Sequence, residues 1–153
     1  MLNRLLSQGT AAFNEARQRL GDEMKRYTNR KQLEAIVSGC AAMAFADKHV
    51  SSEEKQKMYG FLQASDELKV FKLDEVLAYF DSVVKKFEFD FDIGLAEALK
   101  TISKLKGDEG ASKLLVRVCI RIGGSDGNFD ENEKNVARKI ALELGLNPAE
   151  FDL

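Results

Sequence analysis

The chain reads as an all-α protein, a compact bundle of about seven to eight helices that contains two pseudo-repeated helix–turn–helix units. Three observations predict this. Apolar residues recur at helical spacing along most of the chain. There is a single proline and no tryptophan, so little interrupts a helix. And the stretch Ser125–Lys134 has an echo at Ala46–Lys55 at a constant offset of 79 residues. That offset aligns Val37, Cys40, Asp47, Glu54 and Lys55 with Val116, Cys119, Asp126, Glu133 and Lys134. The matches fall on an apolar helical stripe and on an acidic turn, which points to duplication of one unit rather than to a solenoid.

Bulk composition bounds the reading. At 153 residues one domain is expected, burying about 70% of its unfolded surface. Hydrophobic residues make up 44% of the chain, ample for a core. The net charge is −2, and no basic, aromatic-interleaved signature of a nucleic-acid module is present. The charge is uneven. Residues 1–31 carry seven Lys/Arg against three acids, a net +4, so residues 32–153 sum to −6. A basic arm over residues 1–28 is therefore expected beside a single helical domain over 29–153, and it hints at a membrane surface or an acidic partner. Cys40 and Cys119 lie in apolar helical patterns without CxxC spacing, which suggests buried thiols and a reducing compartment. No apolar run approaches the roughly 20 residues of a membrane span. The cytoplasm is the expected address.

The elements follow in order. Leu2, Leu5, Leu6, Phe13, Ala16, Leu20 and Met24 mark an amphipathic helix over 2–24. It reads either as a lipid- or partner-touching helix or as an arm that packs on the body or moves. Gly9, Thr10 and Gly21 weaken it as a helix and favour the second reading. Leu33, Ile36, Val37, Cys40, Ala41 and Ala44 place the next helix at about 29–46, with small residues for close helix approach. Ser51-Ser52-Glu53-Glu54 is a capping box that opens a third helix, to about 64. A short turn at 65–68 and a helix near 72–87 come next. Glu88-Phe89-Asp90-Phe91-Asp92 alternates like a strand but lacks partners. It is expected to be a connector that pins Phe89 and Phe91 into the core, with Asp92 or Asp90 capping a helix to about 104. After a break at 106–110, helices follow at 111–123 and, capped by Asp130, to Leu144. Gly145 suits the C′ position. Asn147-Pro148 begins a short final helix that docks Phe151 and Leu153.

The two acidic turns are the candidate sites. Asp47 and Asp126 each stand where a helix ends, where partial negative charge disfavours a carboxylate. A divalent cation would relieve that. In the second turn it would gather Asp126, Asn128, Asp130, a backbone carbonyl and Glu133. These are hard oxygen ligands that suit Ca²⁺ or Mg²⁺ and are not needed for the fold itself. The turn departs from an EF-hand, which wants Gly at Glu131 and Glu at Ala137. Equally, Asp126 and Asp130 could serve as backbone caps alone. In the first turn Lys48 and His49 replace Gly127 and Asn128, which favours simple capping by Asp47 and Glu54. His49 stands alone, and no catalytic triad, phosphate loop or HExxH is present, so no enzyme is expected.

Ser51–Phe71 (SSEEKQKMYGFLQASDELKVF), Ser125–Lys134 (SDGNFDENEK) and Asn147–Leu153 (NPAEFDL) resemble the bacterial tellurite-resistance TerB family. The resemblance covers most of the chain and is weakest in the N-terminal arm. It implies an all-helical fold and a role in tellurite resistance and related stress responses at the inner face of the cytoplasmic membrane. It implies partners of two kinds, a TerC-like integral membrane protein and TerD-type calcium-binding proteins. It also implies metal binding through acidic positions that map to Asp47, Glu54, Asp126 and Glu133, with Asn128 and Asp130 beside them. Three classes of function follow: a non-enzymatic interaction module tuned by a cation, a metal-dependent enzyme acting on tellurite or another oxyanion, and a structural adaptor without an ion.

Overall fold

A computed structural model describes residues 2–46, 71–123 and 129–153, together with Ser52, Gln56 and Gly60. Side chains of residues 2–10 and 17–29 are outside that description. The described residues include five α-helices and two 3-10 turns of known bounds, Ser52, Gln56 and Gly60 are helical as well, and none of the described residues is in a strand. The all-α expectation holds, with somewhat fewer helices than expected. The helices are α1 (Leu2–Ala46), α2 (Leu73–Phe89), α3 (Phe91–Ile102), α4 (Glu109–Gly123) and α5 (Glu131–Glu143). The 3-10 turns are Ser103–Leu105 and Pro148–Phe151.

Part of the shortfall in helix number lies in α1, where the two expected helices at 2–24 and 29–46 are one continuous helix. Nothing between them stops it. Lys25, Arg26, Asn29 and Arg30 all tolerate helix, and a glycine costs about 1 kcal/mol without removing a hydrogen bond. The chain nevertheless divides into two units, residues 1–30 and 31–153. In the first unit, residues 11–16 are exposed, including Phe13.

In the second unit the core is organised around the last turns of α1. The sequence suggests a stripe there, but every residue from Ala35 to Ala44 is buried. A helix apolar on all sides belongs at the centre of a bundle. Ala35, Ser38, Gly39, Ala41, Ala42 and Ala44 let neighbouring helices come close. At Gly39 a Cβ would lie only 2.7 Å from Cys119 Sγ and 3.3 Å from Leu115 Cδ1, so α4 packs against bare backbone. On another side Phe45 stacks on Phe87 of α2, with ring centroids 5.1 Å apart, and the Ser38 and Tyr79 hydroxyls lie 3.4 Å apart.

The strand-like stretch at 88–92 is a helix corner. Helix α2 continues to Phe89, and one residue, Asp90, closes α2 and caps α3. Its carboxylate accepts from the Ile93 amide at 3.1 Å. Of the two aromatics expected in the core, Phe91 is half-buried, 5.9 Å from Phe87. Phe89 is the correction: it is 82% exposed. A residue just before an N-cap usually packs on the fourth helical residue, and here that residue is Gly94. Gly94 is forced, because a Cβ there would sit 2.7 Å from the Phe87 backbone. Phe89 thus loses the side chain it would have packed on.

The remaining turns follow their sequence signals. Asp108 accepts from the Ala111 amide at 3.1 Å and starts α4 two residues earlier than expected. Gly145 has φ +75°, and the amides of Gly145 and Leu146 donate to Leu142 and Ala141, a Schellman ending. Asn147 caps the last turn through the Ala149 amide, and Phe151 and Leu153 pack on the core.

Candidate functional site

The duplicated acidic turns fall unevenly on the described residues. Asp47, Glu54, Asp126 and Asn128 lie outside them, as does His49. Asp130 and Glu133 lie within them, at the head of α5.

Asp130 is the N-cap of α5, with extended backbone (φ −80°, ψ 175°). Its Oδ1 accepts from the Glu133 amide at 2.9 Å, the capping role expected of Asp130. Glu133 stands at the third helical position. That places its carboxylate near the positive end of the α5 dipole, which favours negative charge. Its surroundings are unlike those of an exposed turn ligand. Glu133 is 2% exposed and is the one buried carboxylate residue among the described residues. It lies over Gly123, the last residue of α4. A Cβ at Gly123 would come within 2.6 Å of Met43 Cε, 2.8 Å of Glu133 Oε2 and 3.1 Å of Phe129 Cε2. The carboxylate therefore occupies a niche that only glycine leaves open, walled by a methionine and an aromatic ring.

This burial has energetic weight. An ionised carboxylate taken from water costs several kcal/mol unless charge or hydrogen bonds compensate it. Water is largely excluded, so any cation held there would interact more strongly than at the surface. Around the rim, the exposed Glu131 pairs with the half-buried Lys134 at 3.8 Å and Arg138 at 3.6 Å, long contacts open to solvent and hence weak. The donors in place, a buried carboxylate and a capping carboxylate one turn apart, suit a hard cation and not a soft one. Among the described residues no three His, Cys, Asp or Glu side chains cluster tightly enough to hold a metal by themselves.

The sequence named Glu133 but not its burial. The signal was Gly123, aligned with Ala44 at the 79-residue offset: a small residue is kept at the end of each repeat's first helix. The thiols are less suited to chemistry. Cys40 and Cys119 are both buried, and burial pushes the Cys119 thiol up to about 12. It stays protonated at neutral pH and is a poor nucleophile.

A second concavity, of about 350 Å³, lies between the start of α4 and the chain after α5. Lys113 spans it, 2.9 Å from Glu109 and 3.9 Å from Glu150. The hydrogen bond and charge of Lys113 hold the Glu109 carboxyl below its ordinary range, and Glu109 raises Lys113 in return. Glu109 is exposed and Lys113 half-buried, and the two satisfy each other. No described helix is long and apolar enough to cross a membrane.

Comparison with known proteins bears on the whole helical unit. The family model described as tellurite resistance protein TerB matches residues 33–153. A curated relative from Alcaligenes sp, named tellurium resistance protein TerB, is 45% identical over 109 residues, covering 71% of this chain and 89% of its own length. No solved structure matches the chain. The match begins at Leu33, the first buried residue of α1 among those whose side chains are described, and runs through the Glu133 niche to the final residue, and on it the chain belongs to the TerB family.

Proposed function

We propose that the protein serves tellurite resistance and the associated stress response as a non-enzymatic interaction module, whose second acidic turn takes Ca²⁺ or Mg²⁺. The observation that carries the reading is the carboxylate of Glu133, held over Gly123 in a niche that excludes water. The names of the matching family and relative supply the physiological context. Glu133 and Asp130 would hold the ion, with Asp126 and Asn128 completing the set. The ion would supply positive charge at the junction of α4 and α5, and so would set how rigidly the two helices are joined. No substrate chemistry is asked of it. The first turn, with Asp47 and Glu54, keeps the fold of the repeat rather than a strong site, because Lys48 and His49 bring positive charge to it.

The setting proposed is the cytoplasmic face of the membrane. The basic residues 1–31 suit an anionic surface there, and a TerC-like membrane protein and TerD-type calcium-binding proteins are the proposed partners. Two measurements test the reading. In a Ca²⁺ or Mg²⁺ titration followed by amide shifts, residues 125–134 move first, and Glu133→Gln weakens the response at least about tenfold. Unchanged amides at millimolar cation would remove the metal. Deleting residues 1–24 lowers co-sedimentation with anionic vesicles. Equal sedimentation of both forms would remove the lipid contact of the arm.

A further inference from the structure

We propose that the acidic, aromatic-tipped corner between α2 and α3 is the docking surface for the basic N-terminal helix of a second copy of this chain. The corner is unusual in two independent ways. Its tip is apolar and open: Phe89 is 82% exposed and Ile93 is 48% exposed. Phe89 is held there by the fold, since Gly94 removes its natural packing partner and Asp90 fixes the turn beneath it. Its rim is acidic. Between residues 88 and 97 the chain carries Glu88, Asp90, Asp92 and Glu97 and no lysine or arginine. Lys86 pairs with Glu97 at 3.8 Å, and Lys85 and Lys100 flank the stretch, so the acidic excess is that of Glu88, Asp90 and Asp92 at the corner itself. The last carbonyls of α2 add to the negative potential.

The occupant follows from complementarity. An exposed aromatic in a stretch rich in exposed carboxylates fits an amphipathic helix with a basic polar face, which would lay apolar side chains on the tip and cations beside the acids. The sequence of residues 1–31 has that pattern. Residues 1–31 carry net +4 in a chain of net −2. They are helical from Leu2, and Leu2, Leu5, Leu6, Phe13 and Leu20 recur along them. Phe13 itself is 67% exposed. The same carboxylates repel an anionic lipid surface, so the corner and the membrane would compete for the arm.

Two measurements test this on the full chain. In sedimentation velocity at low salt, the average mass rises toward that of a dimer from micromolar to millimolar protein, and the rise vanishes at high salt. A variant carrying Phe89→Ser and Ile93→Ser, whose helicity is checked by circular dichroism, associates about tenfold more weakly. Unlabelled full chain added to the labelled full chain shifts amides of residues 88–97. Unlabelled chain carrying Arg17→Glu and Arg19→Glu does so about tenfold more weakly. A monomer at every concentration, undiminished association of the double variant, or shifts confined to other residues would overturn the proposal. So would shifts at 88–97 that anionic vesicles produce and the unlabelled chain does not.

Discussion

At the scale of single residues, glycines and cysteines set the closest approaches. Gly39 brings α4 onto α1 through the Cys119 sulfur, and Gly123 leaves room for the Glu133 carboxylate. Cys119 is wholly buried, and its thiol is raised from the ordinary 9.0 to about 12 by loss of solvation. The consequence is a pH dependence with a definite sign. Below pH 9 the thiol is protonated in both folded and unfolded chains and contributes no slope. Between 9 and 12 the unfolded chain loses the proton and the folded chain keeps it, so stability falls as pH rises. The expected slope from this one group is about 1 kcal/mol per pH unit. The measurement is a difference between parent and variant, so pH effects common to both cancel. Urea unfolding of the parent and of Cys119→Ala, followed from pH 8 to 11, shows a gap that narrows as pH rises. A constant gap would mean that the thiol ionises in the folded state. The sequence placed both cysteines on buried stripes, but not the glycine contact that makes Cys119 inaccessible. That contact joins residues 80 positions apart, and periodicity within one helix does not report which face meets which neighbour.

At the scale of elements, the corner at Asp90 shows how local and tertiary signals divide the work. The alternation of acids and aromatics over 88–92 matches a strand, yet a strand needs a ladder, and every neighbouring described element is a helix. The cap signal at Asp90 decided the outcome. What could not be read was the packing of the two helices it joins, because that depends on Gly94 meeting the Phe87 backbone. Two substitutions separate the contributions. Asp90→Ala removes one cap bond at an exposed site and is expected to cost about 1 kcal/mol, with faster hydrogen exchange at residues 91–94. Gly94→Ala drives a methyl into main chain that cannot step aside as a side chain would. It is expected to cost more, about 2–3 kcal/mol, and to slow no exchange anywhere. If Gly94→Ala proves the milder of the two, α2 and α3 are not held in close backbone contact.

At the scale of the whole molecule, the internal repeat is visible in what it buries. Ile36 and Leu115, Val37 and Val116, Cys40 and Cys119, Met43 and Ile122 are aligned pairs, and every member is buried. The all-α class and the inward positions of these paired helices were therefore legible from period and offset, whereas the exposure of Phe89 was not. The acidic residues of the first repeat, together with Asp126 and Asn128 of the second, lie outside the described residues, so the repeat can be compared through its helices. Among the described residues the core begins at Leu33, where the family match also begins. Residues 1–30 form a separate unit, and residues 11–16 within it are exposed. A helix of that length gains most of its stability from packing rather than from propensity. Removing residues 1–30 should then leave the body folded, with its urea midpoint shifted by about 1 kcal/mol or less in equivalent stability at dilute protein. The denaturant slope should fall only slightly, because little additional surface is exposed on unfolding. A loss of cooperativity on truncation would mean that the first turns of α1 are part of the core.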